Sequence, residues 1–472
     1  MPTPPERPNV LFLFTDDQRF DAGRALGDPA IETPNLDRLA SLGTVCPEAY
    51  IDGGTSGAIC MPSRAMVHTG RGLFEIEGVG QTIPEAHATL GETFREAGYE
   101  AFGTGKWHNG TAAYARSFSD GAEIFFGGMD DHWNVPACDF DPTGEYPGRL
   151  PTVRDPFRGK ERIDRPGDHI RAGYHSTDLF VDATLAFLDR RPRDRPFFAY
   201  VSLMAPHDPR VMPERFKNRY DLASIELPAN FLPEHPIDTG ALDIRDEKLA
   251  RRPREPEETR EHIRDYDAMI THIDAALGRL LDRLEGDGSL DSTLLVFAGD
   301  NGLAVGQHGL MGKQNLYDHS VRVPLIFAGP GIPAGGRAEG LCTLSDVFPT
   351  LASLCGVSLP GSVTGRDLSG ALRDGAPMPR EGIYLAYHRS IRGYADRRYK
   401  LIEYASGATQ LFDRRDDPLE MRNLAEEPAA ASQLREMRAK LLQAHRDSGE
   451  REHSFGLAFW EARPDLAEAD RG

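Results

Sequence analysis

The chain has 472 residues, 40% of them hydrophobic and 27% charged. That mix builds a folded core and excludes a disordered chain, a fibrous repeat or a small disulfide scaffold. Its 54 Lys and Arg against 73 Asp and Glu leave a net charge of −19, which excludes nucleic acid as a partner, because phosphate contacts need a basic surface.

That charge also gives no long-range attraction for an anionic substrate, so such a substrate needs a local cluster of positive charge. Five cysteines, Cys46, Cys60, Cys138, Cys342 and Cys355, are sparse and lack CxxC spacing, which argues against a disulfide framework or a zinc ribbon. The opening MPTPPERPNVLFLF has no basic stretch followed by an apolar run of signal length. The Val10–Phe14 run is far too short to span a bilayer. A cytoplasmic protein with no membrane partner is therefore expected, with a periplasmic or secreted one only if a leader was removed.

In chain order, NVLFLF at 9–14 is a continuous apolar run and predicts a buried strand of a parallel sheet. It ends in Thr15-Asp16-Asp17-Gln18, two adjacent carboxylates where open α/β sheets bind ligands. Thr33-Pro34-Asn35 opens a helix through Leu36, Leu39 and Leu42, stopped by Gly43. A second helix fits 89–97, a strand 99–103, and the loop Gly105-Lys106-Trp107-His108 follows. FFAYVSL at 197–203 predicts a strand that ends in Ala205-Pro206-His207-Asp208. Residues 208–256 are rich in Pro and charge and predict a long excursion.

The strongest helix signal runs over 257–285, where Ile263, Tyr266, Ile270, Ile273, Leu277, Leu280 and Leu284 form one apolar stripe. Strands are expected at 293–298, before Gly299-Asp300-Asn301-Gly302, and at 324–328. The alternation of strand and helix points to an α/β sheet with helices on both faces. Composition shifts at 374–380, a linker between a large domain (1–375) and a small C-terminal one (376–472). The small domain is expected to carry strands at 383–387 and within 399–412, and a charged helix at 429–446. On the terminal arm, Phe455, Phe459 and Trp460 suit docking on a domain or on a neighbouring subunit, which leaves a homo-oligomer open.

Three sets of residues carry chemistry. Asp16, Asp17, Asp300 and Asn301 are oxygen ligands of the kind Ca²⁺ or Mg²⁺ prefers, although Asp and Asn also favour turns after strands. In Cys60-Met61-Pro62-Ser63-Arg64, Pro62 suits the first turn of a helix. Cys60 then sits at a helix N-terminus, where the dipole favours an anion and lowers a thiol pKa. Lys106, His108, His207 and Lys313 are basic groups in loops after strands or near glycine.

Together these residues resemble the formylglycine-dependent sulfatases of the alkaline phosphatase superfamily. The matches run in order: NVLFLFTDDQ, TPNLDRLASLG, CMPSR with the later TGR, GKWH, APHDP, GDNG, GLMGKQNLYDHSVRVPLI, LSDVFPTLASLCGV and LFDRRDDPLEMRNL. The resemblance implies a large, mostly parallel mixed sheet sandwiched by helices, with a small C-terminal antiparallel sheet and packed helix. It implies that a maturation enzyme oxidises Cys60 to Cα-formylglycine. One hydroxyl of its hydrate then attacks the sulfur of a sulfate ester, leaving a covalent sulfo-enzyme that the second hydroxyl resolves. Ca²⁺, with Mg²⁺ as the alternative, would be held by Asp16, Asp17, Asp300, Asn301 and residue 60. Asp300 is a candidate base, and Arg64 would orient the hydrate. Lys106 and Lys313 would hold sulfate oxygens, His207 with Lys313 would protonate the leaving oxygen, and His108 would take the proton that re-forms the aldehyde.

The substrate class implied is an aryl sulfate or a sulfated saccharide. His132 and Trp133, in the segment GGMDDHWNVP at 127–136, are expected to line the leaving-group pocket. A phosphonate monoester or phosphodiester hydrolase of the same superfamily is the nearest alternative. That branch tends to carry Asp-Gln and Asp-His metal pairs and to lack Lys-x-His, whereas this chain has Asp16-Asp17, Asp300-Asn301 and Lys106-x-His108. A non-catalytic metal- or glycan-binding protein would follow if Cys60 were never converted.

Overall fold

The computed structural model describes residues 7–153 and 159–469. The apolar run near the N-terminus, Asn9–Thr15 (β1), is buried at every residue. A strand covered on both faces needs neighbours on either side and helices above and below. β1 finds them in an eight-stranded sheet with Gly43–Val45 (β2), Glu100–Lys106 (β3), Asp120–Phe125 (β4), Phe197–Ser202 (β5), Thr293–Gly299 (β6), Leu325–Ala328 (β7) and Gly336–Arg337 (β8). The strand order is β8-β2-β7-β6-β1-β5-β3-β4. β1 pairs parallel with β5 and β6, and β5 with β3. β7 runs antiparallel to both β6 and β2. The sheet is therefore mixed, with a parallel centre.

Alternation along β1 divides the core in two. Val10, Phe12 and Phe14 face the helices Cys60–Thr69 (with Ala65 and Met66), Leu90–Glu96 (Leu90 and Phe94) and Val347–Leu354 (Phe348 and Leu351). Leu11 and Leu13 face Pro34–Leu42 (Leu36 and Leu39), Ser176–Arg190 (Phe180) and Pro256–Gly286 (Leu277 and Leu280). In chain order we number these helices α1 (34–42), α2 (60–69), α3 (90–96), α4 (176–190), α5 (256–286) and α6 (347–354). The expected stripe on α5 is the buried face, with Ile263 at its partly buried edge. Residues 208–256 form the expected excursion, with only short helical turns such as Glu214–Lys217 and Asp246–Leu249. Among the described residues no helix is long and apolar enough to cross a membrane.

Strands Gly382–Tyr387 (β9), Ile391–Asp396 (β10), Tyr399–Tyr404 (β11) and Thr409–Asp413 (β12) form an antiparallel sheet, extended by Gly53–Gly54 beside β9. The helix Ala431–Asp447 (α7) packs Met437 and Leu441 on Leu401 and Leu411. The terminal aromatic residues dock on this same chain. Phe459 of Ser454–Ala462 (α8) is fully buried, with the Arg392 guanidinium 4.8 Å from its ring centre. Trp460 lies 4.1 Å from the ring of His445.

A buried ionic knot ties the antiparallel sheet to the segment that follows Lys313. Lys400 on β11 is wholly inaccessible, with its Nζ 2.5 Å from Asp318 Oδ1 and 2.7 Å from Glu420 Oε1. Asp318 also accepts a hydrogen bond from the Tyr50 hydroxyl at 3.0 Å. Asp318 lies five residues after Lys313, so the knot anchors the loop that delivers Lys313. Removing one partner leaves the other charge buried and uncompensated. Lys400→Met is expected to lower unfolding free energy by about 3–5 kcal/mol. Arg38→Ala, which breaks a surface pair with Asp282 and Glu285, should cost less than about 1 kcal/mol. Denaturant melts of the two variants check the contrast.

Candidate active site

Strand register collects the polar residues at one edge of the sheet. Thr15 lies opposite Gly299, Phe14 opposite Ser202, and Ser202 opposite Gly105. The residues that follow are Asp16, Asp300 and Lys106, so three strand ends converge. Carboxyl ends of parallel strands are where such sheets bind ligands. Lys106 is the last residue of β3 rather than part of the loop beyond it. Two residues here hold left-handed backbone without being glycine, Asp17 at φ 68° and His108 at φ 75°, conformations that cluster at functional sites. At Gly105 the backbone has φ +83°, and an added Cβ would lie 1.8 Å from the Ser202 carbonyl oxygen. Only glycine lets β3 approach β5 closely enough to aim Lys106 inward.

Cys60 opens α2 and is 2% exposed. Its Sγ lies 3.6 Å from both Lys106 Nζ and His108 Nδ1. Lys106 Nζ pairs with Asp16, and Lys313 Nζ pairs with Asp17. Asn301 Nδ2 donates to Asp17 Oδ1 at 2.7 Å, and the Asp17 amide donates to Asp300 Oδ1 at 3.1 Å. His207 approaches from the opposite side, with its Nε2 3.8 Å from Asp17 Oδ2. All of the expected metal and catalytic residues thus meet in one place.

Burial sets the ionisation. It pushes the Cys60 thiol up to about 11, against the pull of Lys106 and Lys313. The direction is opposite to the lowering expected at a helix N-terminus, because burial is the largest cause. For Asp16, burial opposes ionisation, but Lys106, Arg64, His207 and Lys313 together hold it well below the usual carboxylate range. Burial and then the Asp16 charge push Asp300 up to about 7, against Arg64 and Lys106. Burial, reinforced by Lys106 and Arg64, holds His108 well below the ordinary imidazole range and keeps it neutral.

One expected role gains a second part, and one expected position changes. Arg64 donates from Nε to Asp300 Oδ2 at 2.9 Å and from Nη1 to Ser202 Oγ at 2.5 Å and the Lys106 carbonyl at 3.1 Å. Those bonds make it a brace of three strand ends, while its Nη2 has no hydrogen-bond partner. His132 and Trp133 do not line the pocket. Asp131 accepts hydrogen bonds from the Trp133 amide and the Asn134 side chain, and this turn carries the chain away from the opening. His132 ends fully buried, and the Trp133 ring packs edge-on against His175.

The cavity over Cys60 has a volume of ≈ 280 Å³, and Gly128 and Met129 line it where His132 and Trp133 were expected. Its other walls include Arg245, Asp246 and Gln314, which the sequence reading missed. Arg245 is clamped in a two-pronged pair by Asp208, and Gln314 donates to Asp246 at 2.7 Å. Adjacency to His207 and Lys313 was the one available signal for Asp208 and Gln314. Nothing local marked Arg245 and Asp246 within the excursion.

The family profile described as Sulfatase matches residues 8–357. The chain belongs to the sulfatase family. A second profile, N-sulphoglucosamine sulphohydrolase C-terminal, matches residues 306–447 of this sulfatase. It is 26% identical to an N-acetylglucosamine-6-O-sulfatase of Bacteroides thetaiotaomicron, covering 92% of this chain and 85% of the relative. It is 27% identical to an ulvan-active sulfatase of Formosa agariphila, covering 93% and 81%. The fold also superposes on a phosphonate monoester hydrolase of Agrobacterium radiobacter with a TM-score of 0.73 at 21% identity, covering 94% and 96%. The enzyme is a hydrolase of sulfate esters.

Sulfatases work with a formylglycine and a divalent metal. The donor set here fits a hard cation. Asp16 Oδ1 and Asn301 Oδ1 are buried and accept no hydrogen bond. One ligand atom each from Asp16, Cys60 and Asp300 lie within 4.8 Å of one another, as do atoms from Asp16, Asp17 and His207.

Gly105→Ala tests the close approach that places Lys106. A left-handed alanine that must also displace the Ser202 carbonyl is expected to cost about 1–3 kcal/mol of stability. Turnover should fall by about 10²-fold through misplacement of Lys106. A variant with unchanged melting temperature and unchanged kcat would contradict this account of β3.

Proposed function

We propose that this sulfatase cleaves sulfate monoesters of small saccharides, with Cys60 as the precursor of its formylglycine. The observation that carries the reading is the meeting of Cys60, Lys106, His108 and the paired carboxylates under a single small cavity. Cys60 opens the CMPSR motif that resembles the formylglycine site of sulfatases, and this supports a converted residue 60 over thiol chemistry. The formylglycine, once formed, supplies a hydrated aldehyde whose hydroxyl is the nucleophile.

The chain's own groups then divide the work. Lys106 and Lys313 bind sulfate oxygens as point charges within a water-poor site. Asp300, braced by Arg64, sits where it can accept the proton of the attacking hydroxyl. His108, held neutral, is fitted to accept the second proton, the one whose loss releases sulfate. His207 donates from Nε2 to the departing oxygen, with Lys313 beside it. Asp16, Asp17, Asp300 and Asn301 would hold a Ca²⁺, their oxygen set suiting a cation that tolerates irregular coordination better than Mg²⁺ does. Bound there, it would supply Lewis-acid stabilisation of charge on the sulfate.

The substrate class follows from the walls. A cavity of ≈ 280 Å³ is at the small end of ligand sites, about 300–1,000 Å³. It suits one sugar ring better than a polymer segment. Arg245, Asp246 and Gln314 offer both donors and acceptors to hydroxyl groups. The names of the two relatives, an N-acetylglucosamine-6-O-sulfatase and an ulvan-active sulfatase, support the same class.

Three experiments test the reading. Mass spectrometry of the tryptic peptide containing residue 60, from an active preparation, is expected to show the aldehyde. An unmodified cysteine there would refute the mechanism. Cys60→Ala should abolish hydrolysis of sulfated monosaccharides and of 4-nitrophenyl sulfate with little change in melting temperature. Chelation should remove activity, and Ca²⁺ should restore it more fully than Mg²⁺; the reverse order would reassign the metal.

A further inference from the structure

His207 lies on the segment Leu203–Met212, which has no regular secondary structure. The proposed chemistry needs its Nε2 to face the pocket, yet a loop of this kind is the least rigid support a fold can offer. Its inner side is held at two carbonyls. His132 Nε2 is 3.0 Å from the His207 carbonyl oxygen, and His175 Nε2 is 3.0 Å from the Val211 carbonyl oxygen. A carbonyl only accepts, so each imidazole must donate there from Nε2–H.

The other ring nitrogen of each is fixed by α4. The Thr177 amide, which can only donate, gives its N–H to His175 Nδ1 at 3.2 Å. The Ser176 hydroxyl is 2.7 Å from His132 Nδ1. With Nε2 carrying the hydrogen on a neutral ring, Nδ1 accepts from that hydroxyl. Burial keeps both rings neutral, His132 down at about 4 and His175 well below its ordinary value. The rings stack 5.2 Å apart at 11°. The Ser176 amide donates back to the His132 carbonyl at 2.7 Å. Each histidine is thus a neutral two-ended connector in a single tautomer, from the N-terminus of a 15-residue helix to the loop that bears His207. His207 itself donates from Nδ1 to the Asp208 carbonyl at 2.8 Å, which leaves Nε2 directed at the site.

We infer that His132 and His175, with Ser176, are positioning residues that hold the His207 loop at the depth needed for proton donation to the leaving group. The inference rests on the reading of His207 as the proton donor. It concerns a backbone-to-imidazole brace outside the pocket, and it gives His132 a role through the wall of the site rather than on its surface. A lone structural histidine would stabilise the fold equally for every substrate. A brace of the proton donor matters only where the leaving oxygen needs a proton.

That difference defines the experiment. The converted, metal-loaded enzyme is assayed on 4-nitrophenyl sulfate, whose leaving group departs as a stable anion, and on a sulfated monosaccharide, whose alkoxide does not. His132→Phe keeps an aromatic ring, slightly larger, and removes both hydrogen bonds. It is expected to lower kcat on the sugar sulfate by about 10–100-fold, with 4-nitrophenyl sulfate changed less than about threefold and KM unmoved on both. His132→Gln, which restores an N–H near the Nε2 position, should recover most of the loss. Ser176→Ala keeps the His132 bond to the His207 carbonyl but removes the hydroxyl that holds Nδ1, so it should show a smaller loss with the same substrate selectivity, and it covers the case in which His132→Phe does not fold. Equal losses on both substrates, or none on either, would overturn the inference. His207→Ala run in parallel separates the two readings. If it is selective for the sugar sulfate while the His132 and Ser176 variants are not, only the brace is wrong. If His207→Ala is itself unselective, the proton-donor assignment fails and the brace falls with it.

Discussion

Six charged side chains with almost no water around them govern this structure. Asp16, Asp17, Asp300, Arg64, Lys106 and Lys313 are each buried to within 2% of full inaccessibility. Charges so placed lose most of their hydration, and the cost is met only by tight mutual pairing. Three carboxylates face three cations, so the cluster is formally balanced before any metal or sulfate enters. The pairs are specific: Arg64 with Asp300 and Asp16, Lys106 with Asp16, and Lys313 with Asp17. Each partner comes from a different stretch of chain, so the cluster exists only when the sheet, α2 and the Lys313 loop are all in register.

That constraint explains features which look unrelated. Gly105 is needed because Lys106 must reach Asp16 across β5. Asp17 and His108 hold left-handed backbone because regular continuation of their strands would carry them out of the cluster. The ionic knot around Lys400 sits far from the chemistry in sequence, yet it pins the segment that delivers Lys313. It also reconciles an enzyme of net charge −19 with an anionic substrate. The buried carboxylates are neutralised by Arg64, Lys106 and Lys313, so the divalent metal that sulfatases use would make this one point positive, where low dielectric makes charge count.

Much of the fold was legible in the sequence. The buried run of β1, the stripe on α5 and the helix expected over 89–97 are local signals that act through period and chain geometry. The candidate site residues could be named from the sequence because each lies in a short motif, several of them at a strand end or a helix start. The failures have a common cause. The raised Cys60 thiol and the withdrawal of His132 from the pocket both depend on what lies across the chain from those residues. Arg245 and Asp246 sit in a segment with no periodicity, so nothing near them announced that they wall the cavity.

The sequence by itself determined most of the elements, the family and the candidates for the reacting groups, since these depend on residue type and on spacing along one stretch of chain. Tertiary structure alone decided which charges pair, which groups are desolvated and which histidines face substrate or stand behind it. Those outcomes depend on burial and on distances between residues tens to hundreds of positions apart. His132 carries the point, because its ring nitrogens bond to Ser176, 44 positions away, and to His207, 75 positions away. No local pattern encodes either bond.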